Sequence, residues 1–223
     1  MFKTSVSLLI IFTGLNQIVF TQSVSKKFYL SGGMGISYGN SPSFTDYLRK
    51  EIPYSDDDTI NSYNTGVEFF ICTEYLLHKN ISVKLDYSYF IRSTQYTYQY
   101  YIFDFIINTH QPYLYVNYVM KERKYRISLG AGIGYHYQLL ENIISSNQTE
   151  RYNSHGPSVR TEIIFSPSFS KTFTGYLTGF LYGNFYGDLK KSDGNYLKAT
   201  GDSQNVSLRG FGAGIRLGVT FIL

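Results

Sequence analysis

The chain has 223 residues, enough for one domain, and a net charge of +4 that is too small and too scattered to argue for a nucleic-acid partner. Aromatics reach 18% through 23 Tyr and 17 Phe without a Trp, while charged residues make up only 16% and mean hydropathy is -0.16. That balance excludes a helical membrane protein and suits strands that are apolar on one face only.

Residues 1–21 read as a secretory leader, with Lys3 as its positive start and Val6 to Phe12 as its apolar stretch. Cleavage is expected after Thr21, with Ser23 as the runner-up, so the working domain is 22–223. No later run approaches roughly 18 consecutive apolar residues, the length of a spanning helix. The single cysteine, Cys72, cannot form an intrachain disulfide.

From Lys27 onward the pattern has period two, the spacing of a strand whose side chains alternate between faces. A first strand runs to Gly39, with Phe28, Leu30, Met34, Ile36 and Tyr38 opposite Tyr29, Ser31, Gly33, Gly35 and Ser37. Residues 40–62 read as a polar loop holding Pro42, Pro53 and Asp56 to Asp58. The second strand, Tyr63 to Leu77, turns Val67, Phe69, Ile71, Thr73 and Tyr75 outward and Glu68, Phe70, Cys72 and Glu74 inward. His78 to Asn80 is a hairpin turn into a third strand. There Ile81, Val83, Leu85, Tyr87, Tyr89 and Ile91 face away from Ser82, Lys84, Asp86, Ser88 and Arg92.

Residues 93–106 have no clean period and read as a loop built partly from strand extensions. A fourth strand at about 108–120 follows, then the tight turn Lys121 to Lys124. The fifth strand, Tyr125 to Leu139, alternates Ile127, Leu129, Ala131 and Ile133 with Arg126, Ser128 and three glycines. Residues 141–156 read as a loop, and 157–166 as a sixth strand with Arg160 and Glu162 inward. A seventh strand spans 173–187, with its facing open, and 188–205 is a polar loop.

The last stretch has the strongest pattern. Phe211, Ala213, Ile215, Leu217, Val219, Phe221 and Leu223 alternate with Gly210, Gly212, Gly214, Arg216, Gly218, Thr220 and Ile222. No helix of useful length is expected to cover so apolar a face, which leaves lipid as its solvent. Long links follow strands 1, 3, 5 and 7 and short ones follow 2, 4 and 6. The expected architecture is all-β: an eight-stranded antiparallel up-and-down transmembrane β-barrel.

The terminal strand resembles that of bacterial outer-membrane β-barrel proteins, and the whole pattern is similar to the small OmpA/OmpX-type or PorT-like barrels. The resemblance implies that Ile215, Leu217, Val219, Phe221 and Leu223 form an assembly signal read by the barrel-assembly machinery, with Leu223 where Phe is commoner. It also implies a bacterial cell outer-membrane location, periplasmic termini, and outer-membrane lipid and lipopolysaccharide as surroundings. A surface or secretion partner would act through the loops. Function on such a scaffold resides in what is grafted onto it.

The inward list contains Glu68, Glu74, Lys84, Asp86, Arg92, Arg126, Arg160, Glu162 and Arg216. Eight strands enclose a space that side chains fill, so these charges are expected to pair into a plugged interior. Across the second hairpin, Glu74 should meet Lys84 and Glu68 should meet Arg92. A narrow pore is the weaker reading. A barrel enzyme (a lipid acyltransferase or protease) is the other alternative, since His110, His136 and His155 all fall toward one rim. No motif ties an Asp or Ser to them, so a non-enzymatic barrel without cofactor or catalytic residues is expected. Asp56 to Asp58 lack the spacing of a calcium loop. Lys190, Lys191 and Lys198 are candidates for lipopolysaccharide phosphate contacts, or simply for solubility.

Overall fold

The computed structural model describes residues 28–51, 64–98, 101–144, 148–199, 201 and 203–223. The leader at 1–21 and the acidic run Asp56 to Asp58 lie outside the described residues. Eight antiparallel strands close into a barrel in chain order. They are β1 (Phe28–Asn40), β2 (Thr65–His78), β3 (Ile81–Tyr98), β4 (Tyr101–Lys121), β5 (Tyr125–Ile144), β6 (Gln148–Pro167), β7 (Phe173–Asn184) and β8 (Gly210–Ile222). Closure runs through β1 and β8, which pair from Tyr29↔Ile222 to Asn40↔Phe211.

Facing follows the period-two pattern. Met34, Ile71, Leu85, Val116, Ile133, Ile163, Leu181, Ile215 and Leu217 are exposed on the outside, while their chain neighbours are buried or half-buried within. Both ends of this apolar belt carry aromatics. Phe28, Tyr75, Tyr118, Tyr125, Phe165 and Phe221 ring the end that holds the termini, and Tyr38, Tyr89, Tyr135, Tyr137, Phe185 and Phe211 ring the far end. An outward apolar band between two aromatic girdles is the surface a bilayer requires of a barrel. The facing of β7 is now settled: Thr174, Tyr176, Thr178 and Phe180 point in, Leu177 and Leu181 out.

The links differ from the sequence reading. The stretch 141–156 is not a loop, and in 93–106 the strand extensions take over almost entirely, because β3 to β6 continue as paired strands past the belt. Residues 99–100 and 145–147 are all that separate them. These four strands have 18 to 21 residues, whereas β1, β2, β7 and β8 have 12 to 14. One side of the barrel therefore stands as a tall wall beyond the other.

The inner face of that wall is covered. Residues 42–51 form a helix, α1 (Pro42–Glu51), where the sequence reading placed a loop. Ser41 and Pro42 start it as N-cap and first-turn residue, the Phe44 and Thr45 amides donating to the Ser41 carbonyl at 3.1 and 3.0 Å. Phe44, Tyr47 and Leu48, spaced to share one face, are buried. The 188–205 stretch is likewise no solvated loop. Leu189, Leu197 and Val206 are joined by backbone bonds of 2.8–2.9 Å, and Gly194 takes φ 96° at the turn between them. Together with Phe105, Ile107, Leu140, Tyr152, Tyr186, Ala199 and Leu208 they make a buried apolar core at the far end. This core caps the barrel.

Candidate functional site

Beneath the cap the interior is charged. Glu68, Glu74, Lys84, Asp86, Arg92, Arg160, Glu162 and Arg216 are all buried, and Arg126 is partly so. Most lie level with the middle of the apolar belt, since Asp86 sits between outward Leu85 and Tyr87 and Arg216 between Ile215 and Leu217. Ions there lose their hydration and need partners.

The partners form three groups. Nearest the termini, Glu74 accepts from Arg126 and Ser82, with Asn117 Nδ2 at 3.4 Å. Next, Lys84 donates to Glu162, lies 3.5 Å from Asp86, and reaches the Tyr176 hydroxyl at 3.3 Å. Its ammonium stands 4.2 Å from the Tyr115 ring centre. Above it, the Arg216 guanidinium forks to Glu68, to Asp86 at 2.7 Å and to the Ser88 hydroxyl at 2.9 Å. Arg160 completes this level, 3.8 Å from Glu68, bonded to Gln111 at 2.8 Å, and with both the Tyr113 and Phe180 ring centres 4.4 Å away. Gly35 makes the room: a Cβ there would stand 2.8 Å from Arg216 Cγ.

Two pairings differ from the hairpin argument. Glu74 and Lys84 are register neighbours, yet each turns to another strand, Glu74 to Arg126 on β5 and Lys84 to Glu162 on β6. Glu68 is held by Arg216 and Arg160 rather than by Arg92, which lies over the Phe90 ring at 5.2 Å. In a narrow closed barrel the shortest path for a long side chain is across the lumen, not along the sheet.

The three rim histidines do not share a site. His136 is buried inside, its Nδ1 2.6 Å from the Tyr186 hydroxyl, whereas His110 and His155 are exposed on the outer wall. Outside, the Tyr87 hydroxyl is 2.7 Å from His110 Nδ1, and the Tyr135 hydroxyl 2.6 Å from His155 Nδ1. Among the described residues no group of three His, Cys, Asp or Glu is placed to hold a metal ion.

Ser41 Oγ donates to the Leu208 carbonyl at 3.4 Å, and the Ser207 amide donates to Ser43 Oγ at 3.1 Å, which fastens α1 to the segment just before β8. Lys191 Nζ donates to Glu150 at 2.7 Å, holding the cap to β6. Lys190 has its ammonium 5.4 Å from the Tyr196 ring centre, and Lys198 is exposed. At the opposite end Ile215, Leu217, Val219, Phe221 and Leu223 share the exposed face of β8 and the residue after it.

Solved structures provide the comparison for this fold. Two structures of Ail, the attachment invasion locus protein of Yersinia pestis, align at 11% identity over 90% of this chain and 100% of Ail. Their TM-scores are 0.53, for the complex with the heparin analogue sucrose octasulfate, and 0.52. The chain has the fold of the small outer-membrane β-barrels. Neisserial surface protein A aligns at 8% identity over 87% of this chain and 96% of its own, with a TM-score of 0.47. No protein-family model and no curated protein matches the chain.

Sequence reasoning missed two features. The cap was signalled by Ser41-Pro42 ahead of Phe44, Tyr47 and Leu48, a helix start followed by a helix face. The outer pairs were signalled by His110-Gln-Pro112 and His155-Gly-Pro157, the same His-x-Pro pattern twice on strands running the same way.

Proposed function

We propose that the protein stands in the bacterial outer membrane with its termini in the periplasm and the cap outside. Its lumen is closed, and it works without catalysis through the capped end, as an adhesive, structural or secretion-accessory component. The observation that carries this reading is the built cap: a packed apolar core over a lumen of mutually paired ions. A solute path would need neither the core nor the pairing, and eight strands leave no aqueous channel. Separation of His136 from His110 and His155 by the barrel wall speaks against a shared catalytic centre. Ile215 to Leu223 serve as the signal for barrel assembly in the same reading.

Two measurements test it. In planar bilayers the purified protein should give no stable single-channel current; steady conductance would overturn the closed lumen. Cells carrying the protein should lose attachment or secretion when the cap is disrupted but the barrel still assembles. An unchanged phenotype would overturn the role given to the capped end.

A further inference from the structure

The outer wall repeats one constellation on two hairpins. On β3 and β4, Tyr87 faces Pro112 and Tyr89 faces His110; on β5 and β6, Tyr135 faces Pro157 and Tyr137 faces His155. Each histidine takes a tyrosine hydroxyl on Nδ1. The second row stands beside the first, because His110 also pairs in register with Tyr137. Tyr89, His110, Tyr137 and His155 thus form one band across four adjacent strands, at the far-end girdle. Just below it, tall Tyr87 and Tyr135 alternate with the low rings of Pro112 and Pro157. Lower still come Leu85, Leu114, Ile133 and Val159, all exposed in the apolar belt.

A proline ring lies flat where a tyrosine stands out, so this alternation leaves a channel in the surface. An apolar groove of about 870 Å³ opens there, lined among others by Ile71, Leu85, Tyr87, Pro112, Ile133 and Tyr135. Proline also brings no N–H to the ladder. Beside it the β4–β5 pairing lapses between His110↔Tyr137 and Tyr113↔Gly134, with the register kept on both sides.

We propose that this groove holds an acyl chain of an anionic, phosphate-bearing lipid of the outer leaflet, whose headgroup is bound by His110 and His155. The groove is continuous with the lipid-facing belt, so acyl chains are what reaches it. Where the tyrosine hydroxyl donates to Nδ1, the neutral imidazole carries its proton on Nε2, and Nε2–H is a donor for a phosphate oxygen. Both donors lie in the girdle, where a headgroup begins, two strands apart or about 10 Å. Tyr87 and Tyr135 are positioning residues that fix the tautomer. The inference rests on the barrel standing in a bilayer, as proposed above.

The test places the full-length protein in nanodiscs of equal dimyristoyl phosphatidylcholine and dimyristoyl phosphatidic acid, then counts retained lipids by native mass spectrometry. Wild type should retain phosphatidic acid over phosphatidylcholine by about ten- to a hundredfold, the size of one hydrogen bond to a charged group. The preference should fall to near unity in His110→Leu/His155→Leu and be weakened in Tyr87→Phe/Tyr135→Phe, which keeps both imidazoles. Ile133→Trp, which fills the groove, should lower retention of both lipids. Equal retention by wild type, or an undiminished preference in the double histidine variant, would overturn the site. Displacement by glycerol phosphate alone would overturn the part played by the groove. A protein that does not enter the nanodisc at all overturns the membrane reading, and this proposal with it.

Discussion

Lys84 and Glu162 are fully buried and joined across the lumen, so at the residue scale each leaves the other exposed to the full cost of burial when removed. Lys84→Met should destabilise the barrel by about 3–5 kcal/mol, and Lys84→Met/Glu162→Gln by clearly less than the sum of the single changes. Urea unfolding of the four-member cycle in lipid measures this, and additive effects would mean that the two do not share a bond. The Glu150–Lys191 contact on the cap titrates. Its hydrogen bond to Lys191, and then that from Tyr152, holds the Glu150 carboxyl below the ordinary carboxylate range; Glu150 in turn raises Lys191. A carboxyl lowered on folding stabilises above its unfolded pKa and loses that contribution as pH falls through the folded one. An amine raised on folding stabilises below its unfolded pKa and loses it as pH rises through the folded one. The tie is therefore complete between about pH 4 and 10. Amide exchange at Lys190, corrected for intrinsic rates, should quicken from pH 6 to pH 3. Glu150→Gln should show the faster exchange already at pH 6, and equal protection throughout would refute the tie.

At the scale of elements, β8 and α1 make opposite demands. Val219 lies on the lipid face of β8, and Val219→Arg there should cost about 2–4 kcal/mol and block assembly. A variant that keeps the wild-type resistance to heat on a semi-native gel would show that this face does not meet lipid. Leu48, on the buried face of α1, is 1% exposed in the cap core with Val206 and Leu208. Leu48→Asp should open the cap, because a buried lone carboxylate has no partner there. The barrel should survive it, since α1 contributes nothing to the strand ladder. Protease should then cut within 185–209 while the eight strands stay intact; loss of the whole barrel would mean that cap and barrel fold as one unit.

For the whole molecule, the tall wall of β3 to β6 makes the two ends unlike. The far end has the cap and the girdle with His110 and His155, and the other has short turns, the start of β1 and the end of β8. With the cap outside, protease added to intact cells that carry Leu48→Asp should cut within 185–209 and spare 78–80 and 121–124. Cleavage confined to the short turns would invert the orientation. Because the apolar belt and the cap core are separate, the molecule is two packings joined end to end, one turned outward around the barrel and one turned inward at its far end.

Alternation along β1, β3, β5 and β8 was legible in the sequence, since it is a local pattern imposed by two different surroundings on the two faces of each strand. Residues such as Ile215 against Arg216, or Leu85 against Asp86, report their face directly, so the barrel and its inward charges could be read without coordinates. Which charges meet could not. Glu74 with Arg126 and Lys84 with Glu162 join strands three apart, and that choice depends on the stagger with which the barrel closes, a property of all eight registers together. The cap was hidden for another reason: Phe44, Leu48, Tyr152, Leu189 and Val206 are sparse among polar neighbours, and their burial appears only when four distant segments converge. The Tyr–His pairs likewise form only across strands: the repeated His-x-Pro at 110–112 and 155–157 marks the positions, but only the register places Tyr87 beside Pro112 and Tyr135 beside Pro157.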